Sequence, residues 1–175
     1  WKDLSRLSVS ACGTAYYAGL TAKYWFEKLA RLPVEIDVAS EFRYREAPLP
    51  ENGLALFVSQ SGETADTLAC LRYARQEKQT VLSVVNVPTS AIARESDAVA
   101  PTMAGPEIGV ASTKAFTAQV AALLSLAVAA GVARGKIDGQ TEGELVRALF
   151  ESPRLIAEAL AMDDDIRAVA HDLAK

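Results

Sequence analysis

The sequence predicts an open α/β fold, with one parallel sheet carrying helices on both faces. Three observations point there. Short β-branched and aliphatic runs alternate with longer helical stretches between Leu7 and Val132. Turn residues bound those runs. One run, Leu54-Ala55-Leu56-Phe57-Val58, is apolar at every position, the pattern of a central strand covered on both sides.

Taken in order, Leu7–Ala11 reads as a strand ending at Cys12-Gly13-Thr14. Ala15–Leu29 reads as a helix, with Tyr16, Leu20, Tyr24 and Leu29 close to one face, and Pro33 stops it. Val34–Val38 alternates as a second strand. Ser40–Glu46 mixes charge with aromatics, and reads either as a solvated loop or as a contact with another subunit. After Leu54–Val58 come the turn Ser59–Thr64, a helix over Ala65–Gln76 and a buried strand over Val81–Val85. A turn at Val87–Ser90 leads to a short helical piece, and Ala98–Ala100 is a weak last strand.

Val110–Val132 is a long Ala-rich helix, apolar nearly all round. It approaches the roughly 20 residues of a membrane span. Thr113, Lys114, Thr117, Gln119 and Ser125 interrupt it, so burial in the core or against a second copy is expected and a membrane is not. Gly131, Gly135 and Gly139 then mark a loop. Two short helices, Leu145–Phe150 and Ile156–Ala161, are predicted on either side of Pro153, followed by a charged amphipathic tail. The expected division is a ligand-binding domain over 1–135 and a helical extension over 136–175.

Composition narrows the function. The chain has 175 residues, enough for a core without disulfide or metal staples. A net charge of −4 argues against nucleic acid, whose phosphates need a basic face. Two cysteines and one histidine make neither a disulfide framework nor a zinc site. Residues 1–10 carry charge and no cleavable apolar run, so the cytoplasm is the expected compartment. Trp1 stands where an initiator Met would, and a piece of a longer protein is expected.

Parallel sheets bind ligands at the carboxyl ends of their strands. Ser59-Gln60-Ser61-Gly62-Glu63-Thr64 follows a buried strand and opens a helix. A helix N-terminus suits an anion, and three hydroxyls can donate to phosphate oxygens. With no Lys in the loop it is not a nucleotide P-loop. A phosphomonoester site and an ordinary N-cap both fit. Cys12 sits at the matching point of the first strand, either as a nucleophile or, as we favour in the absence of a nearby base, as a small buried thiol. Thr14 is a second phosphate donor or a cap. In Glu107–Lys114, Ser112 and Thr113 either cap the long helix or, with the Val110 carbonyl, leave Ser112 facing a ligand. Glu107 reads as solvated or ion-paired rather than as a base. A serine hydrolase and a dinucleotide enzyme are excluded, because G-x-S-x-G and G-x-G-x-x-G are both absent.

Four motifs occur in order: Ala11–Thr14, Ser40–Arg45, Ser59–Thr67 and Glu107–Thr117. Together they resemble the first sugar-isomerase (SIS) subdomain of the glutamine–fructose-6-phosphate aminotransferase family. The resemblance implies a flavodoxin-like, three-layer α/β/α fold with a five-stranded parallel sheet. It implies that Thr14, Ser59, Gln60, Ser61 and Thr64 hold the phosphate of fructose or glucosamine 6-phosphate. It implies that Cys12, Gly13, the Val110 carbonyl and Ser112 contact the sugar. Many members of the family place Ser where this chain has Ala15. The family's Schiff-base Lys, proton-moving Glu, ring-opening His and glutaminase Cys have no counterpart here. No catalytic residue, cofactor or metal is therefore assigned, and the chain by itself is expected to bind without turnover. A homodimer is expected. An amino-sugar-phosphate deaminase or isomerase and a non-enzymatic sensor of phosphosugars are the alternatives.

Overall fold

Five strands, β1 (Leu7–Ala11), β2 (Val34–Val38), β3 (Leu54–Ser59), β4 (Thr80–Val85) and β5 (Ala98–Pro101), form one sheet in the order β2-β1-β3-β4-β5. Every neighbouring pair is parallel. The structure is a computed structural model and describes residues 1–109 and 112–174. It divides into two compact units, Trp1–Asp138 and Gly139–Lys175.

The period-two alternation of side chains splits the core of the first unit into two layers. Leu7 and Val9 of β1, Leu56 and Val58 of β3, and Val84 of β4 face one side. There they pack against α1 (Gly13–Trp25), the π-helical turn Phe26–Ala30 and α5 (Lys114–Ala133). Ala55 and Phe57 of β3 and Val81 and Val85 of β4 face the other. There they meet α2 (Ala39–Arg45), α3 (Ala65–Gln76) and α4 (Ala91–Glu95). β3 is buried along its whole length, as its unbroken apolar run requires, whereas β5 is largely exposed. Each fully buried side chain of the size of Leu56 or Phe57 contributes about 1.5–3 kcal/mol. The three layers and the strand order are those of the flavodoxin-like class expected above.

Several details differ from expectation. The buried face of α1 is Ala15, Ala18, Gly19 and Ala22, not the stripe of Tyr16, Leu20 and Tyr24. Small residues let α5 lie close against α1, and Tyr24 stays 64% exposed. Residues 39–45 form a helix rather than a loop. Phe42 is buried and packs edge-on against Tyr73, while Arg43 pairs with Asp66 of α3 at 2.6 Å. α5 begins at Lys114, and its buried stripe is Ala115, Gln119, Leu123, Ala127 and Ala130. It is long and apolar enough to cross a membrane by length and composition, yet that stripe belongs to the core.

In the second unit, α6 (Gly139–Leu160) runs unbroken through Pro153, where two short helices were expected, and α7 (Asp163–Leu173) follows. A proline removes one backbone donor and normally kinks a helix. Here the Ser152 hydroxyl donates to the Ala148 carbonyl at 3.1 Å, and Arg154 pairs with both Glu151 and Glu158 across the same turn. The donor that Pro153 lacks is the one that would meet the Leu149 carbonyl, and the helix continues past it.

Candidate functional site

The crossovers from β1 and β3 leave in opposite directions, so a crevice opens between the carboxyl ends of these adjacent strands. Ala11 lies opposite Val58, which sets Cys12-Gly13-Thr14 beside Ser59–Thr64. The β3–α3 loop is held by its own side chains. The Ser59 hydroxyl accepts the Gly62 N–H at 3.0 Å and lies 3.1 Å from the Thr64 hydroxyl. The Ser61 hydroxyl accepts the Glu63 N–H at 3.2 Å. The next strand-end segment pins the loop from outside. The Gln60 carbonyl accepts the Asn86 N–H, the Gly62 carbonyl accepts the Ile92 N–H, and the Glu63 carboxylate accepts the Ala91 N–H at 2.7 Å. Gly62 has φ +67°, and a Cβ there would stand 1.9 Å from the Ser90 hydroxyl, so only glycine fits.

The geometry bears on the N-cap alternative. Thr64 occupies the cap position of α3 but makes no side-chain bond to the helix; its hydroxyl turns to Ser59 instead. Cys12 occupies the cap position of α1 and makes no such bond either. Two helix N-termini without a side-chain cap therefore meet at one crevice. Each presents unpaired N–H groups and the positive end of its dipole, worth about 0.3–1 kcal/mol to an anion near the surface. α5 is different. Neither Ser112 nor Thr113 caps it; the Glu107 carboxylate accepts the Ala115 N–H at 3.1 Å. That contact gives Glu107 a structural task in place of ion pairing.

A cleft of about 350 Å³ fills the crevice, within the roughly 300–1,000 Å³ common for small-molecule sites. Cys12, Gly13 and Thr14 line it from β1–α1, Ser59, Gln60, Ser61 and Thr64 from β3–α3, and Ser112 and Gln119 from the last segment. Val110 lies outside the described residues. None of the described lining residues carries a charge, so an anion here would be met by N–H and hydroxyl donors alone. Among the described residues no three His, Cys, Asp or Glu side chains gather to hold a metal.

The two thiols differ. Cys12 is partly exposed in the cleft. Cys70 is buried on α3, donates to the Ala39 carbonyl at 3.2 Å, and burial pushes its thiol up to about 11, so it stays protonated. His171 is on α7 of the other unit. Three contributors escaped sequence reasoning. Glu63 braces the β3–α3 loop. Asn86 gathers the segment after β5, accepting the Ala104 N–H at 2.8 Å and donating to the Gly105 carbonyl at 2.7 Å. Gln119 reaches the cleft from inside α5, and the signal for it was a lone amide in the stripe Ala115–Leu123.

Residues 2–129 match the family model of the SIS domain. The chain is 64% identical over 175 residues to a glutamine–fructose-6-phosphate aminotransferase (isomerizing) of Brucella abortus. It is 61% identical over 174 residues to that of Agrobacterium fabrum. It spans 29% of the length of each of these relatives, and 100% and 99% of itself is covered. Among solved structures, the C-terminal domain of the glucosamine-fructose-6-phosphate aminotransferase of Francisella tularensis superposes with a TM-score of 0.91 at 40% identity, over 95% of this chain and 48% of that one. A glucosamine-6-phosphate deaminase of Thermotoga maritima shares the fold, with a TM-score of 0.71 at 24% identity over 87% of this chain and 46% of that one. The domain model covers most of the chain, and the five-stranded parallel sheet agrees with it: the chain belongs to the SIS-domain family.

Proposed function

We propose that this chain is the phosphosugar-binding part of a glutamine–fructose-6-phosphate aminotransferase, which makes glucosamine 6-phosphate from fructose 6-phosphate and glutamine. The observation that carries the reading is the pair of helix N-termini, α1 and α3, that open without side-chain caps on one uncharged, hydroxyl-lined cleft. Thr14, Ser59, Gln60, Ser61 and Thr64 take the phosphate. Cys12, Gly13, Val110 and Ser112 take the sugar. The role of these residues is to bind and orient, in a chain that spans 29% of the relative's length. On this reading α6 and α7 lead toward a second SIS subdomain, the protein works as a homodimer, and its two free cysteines suit the reducing cytoplasm.

The test is a thermal-shift titration of the chain with fructose 6-phosphate, glucosamine 6-phosphate, the unphosphorylated sugars and inorganic phosphate. A ligand that binds only the folded state raises the melting temperature by mass action. Both phosphosugars should stabilise, phosphate less and the free sugars not at all. Ser61→Ala should remove the effect. No shift with any phosphate ligand at millimolar concentration would overturn the assignment.

A further inference from the structure

Gln119 brings a buried amide oxygen without a hydrogen-bond partner to the lining of the cleft. It lies on the buried stripe of α5 between Ala115 and Leu123, both fully buried, where an aliphatic residue would pack. It is itself only 1% exposed, and its amide oxygen has no hydrogen-bond partner. A buried amide left unpaired is destabilising, and such groups usually have a partner in the working state. The same side chain lines the cleft, one turn inside the helix that follows Ser112. A carboxamide carries both an acceptor oxygen and a donor NH2, and a half-turn of the amide exchanges them. It can therefore bond a hydroxyl or a carbonyl oxygen, whereas a phosphate already has the N–H and hydroxyl donors of two loops.

We propose that Gln119 is a specificity-determining residue: its carboxamide hydrogen-bonds an oxygen of the bound sugar, so that the cleft selects a polyhydroxylated phosphate ester over inorganic phosphate. The proposal rests on the phosphosugar reading above and assigns the ligand contact of one residue within it. A site built to bond a hydroxyl rejects a ligand that lacks it, because the buried polar group is then left unpaired.

The experiment compares wild type, Gln119→Met and Gln119→Leu by calorimetric titration with fructose 6-phosphate and with inorganic phosphate. Methionine keeps the length without the amide, and leucine suits the apolar stripe of α5. Both variants should lose about tenfold in affinity for fructose 6-phosphate, the scale of one hydrogen bond. Both should bind inorganic phosphate as wild type does and melt no lower, since the unpaired amide is gone. Unchanged affinity for fructose 6-phosphate, or an equal loss for both ligands, would overturn the role of Gln119 and leave the phosphosugar reading standing. Failure of wild type to bind fructose 6-phosphate would overturn that reading, and the role of Gln119 with it.

Discussion

Two strand-end loops face each other across the cleft, and they are built on opposite plans. The β3–α3 loop is over-determined. Ser59 and Ser61 bond its own backbone, Glu63 reaches across to α4, and Gly62 is wedged against Ser90. The β1–α1 loop is bare. Cys12 makes no capping bond, and nothing lies within 4 Å of where a Cβ on Gly13 would stand. A cradle for a compact anion gains from donors already aligned, because binding then orders less of the chain. The opposite wall gains from open space, because a ligand body must sit there. On the proposed phosphosugar reading, rigidity belongs to the side assigned to phosphate and room to the side assigned to the sugar.

The largest effect that can break this contrast comes from a matched pair of substitutions. Gly62 and Gly13 both have left-handed backbones, with φ of +67° and +56°. Alanine at either position carries the backbone strain, about 1–2 kcal/mol. Only Gly62→Ala also drives a methyl into Ser90, which adds about 1–3 kcal/mol of overpacking. Denaturant unfolding should therefore show Gly62→Ala losing roughly 2–5 kcal/mol and Gly13→Ala roughly 1–2 kcal/mol. Equal losses would mean that the two loops are not different in kind.

A smaller effect sharpens the same point. The Glu63 carboxylate ties the β3–α3 loop to the first N–H of α4, although the side chain is exposed. Charge-assisted bonds reach about 1.5–3 kcal/mol, and exposure to solvent reduces that. Glu63→Ala should lower stability by about 1 kcal/mol and weaken fructose 6-phosphate binding, while Glu63→Gln should keep most of both. A calorimetric titration separates the outcomes. Wild-type affinity in Glu63→Ala would show that Ser59 and Ser61 suffice to shape the loop.

Much of the fold could be read from local pattern. The unbroken run Leu54–Val58 marked the central strand, and Ser59–Thr64 directly after it marked one wall of the cleft. What escaped depends on distant partners. Glu107 caps α5 from outside the helix, across a loop that no periodicity describes. The buried face of α1 is alanine and glycine rather than tyrosine; a Cβ on Gly19 would stand 3.0 Å from Val9 and Ile36 of the sheet, and that packing is a tertiary fact. Pro153 reads as a break, yet α6 continues through it, because one missing backbone bond need not end a helix of 22 residues. Gln119 was visible only as an interruption in an apolar helix. Its meaning lies in the neighbours that the fold brings to it.

The smallest effect lies where α3 and α4 are joined. Arg72 holds the Glu95 carboxylate through two bonds of 2.9 and 2.7 Å, and Arg75 bonds the Glu95 carbonyl at 2.7 Å. The bond from Arg72 holds the Glu95 carboxyl below its ordinary value of 4.5. The unfolded chain then binds the proton more readily than the folded one. The contribution is complete above pH 4.5 and is lost as pH falls through the depressed folded value. Asp37 runs the other way: burial raises its carboxyl above 3.8, so its contribution is present below that value and fades as pH rises through the raised one. Replacing Glu95 by Gln should lower stability at neutral pH and leave it unchanged in strong acid, which flattens the acid limb below pH 4.5; the loss is small because solvent reaches both side chains. Denaturation midpoints from about pH 3 to 7 read this directly. Gly62→Ala should instead lower the whole curve with its slope unchanged, since no proton is involved. If Glu95→Gln kept the wild-type slope, the α3–α4 junction would not be electrostatic, and the β3–α3 loop would be held by the wedge of Gly62 against Ser90, the bonds of Ser59, Ser61 and Glu63 and the backbone bonds from Asn86 and Ile92.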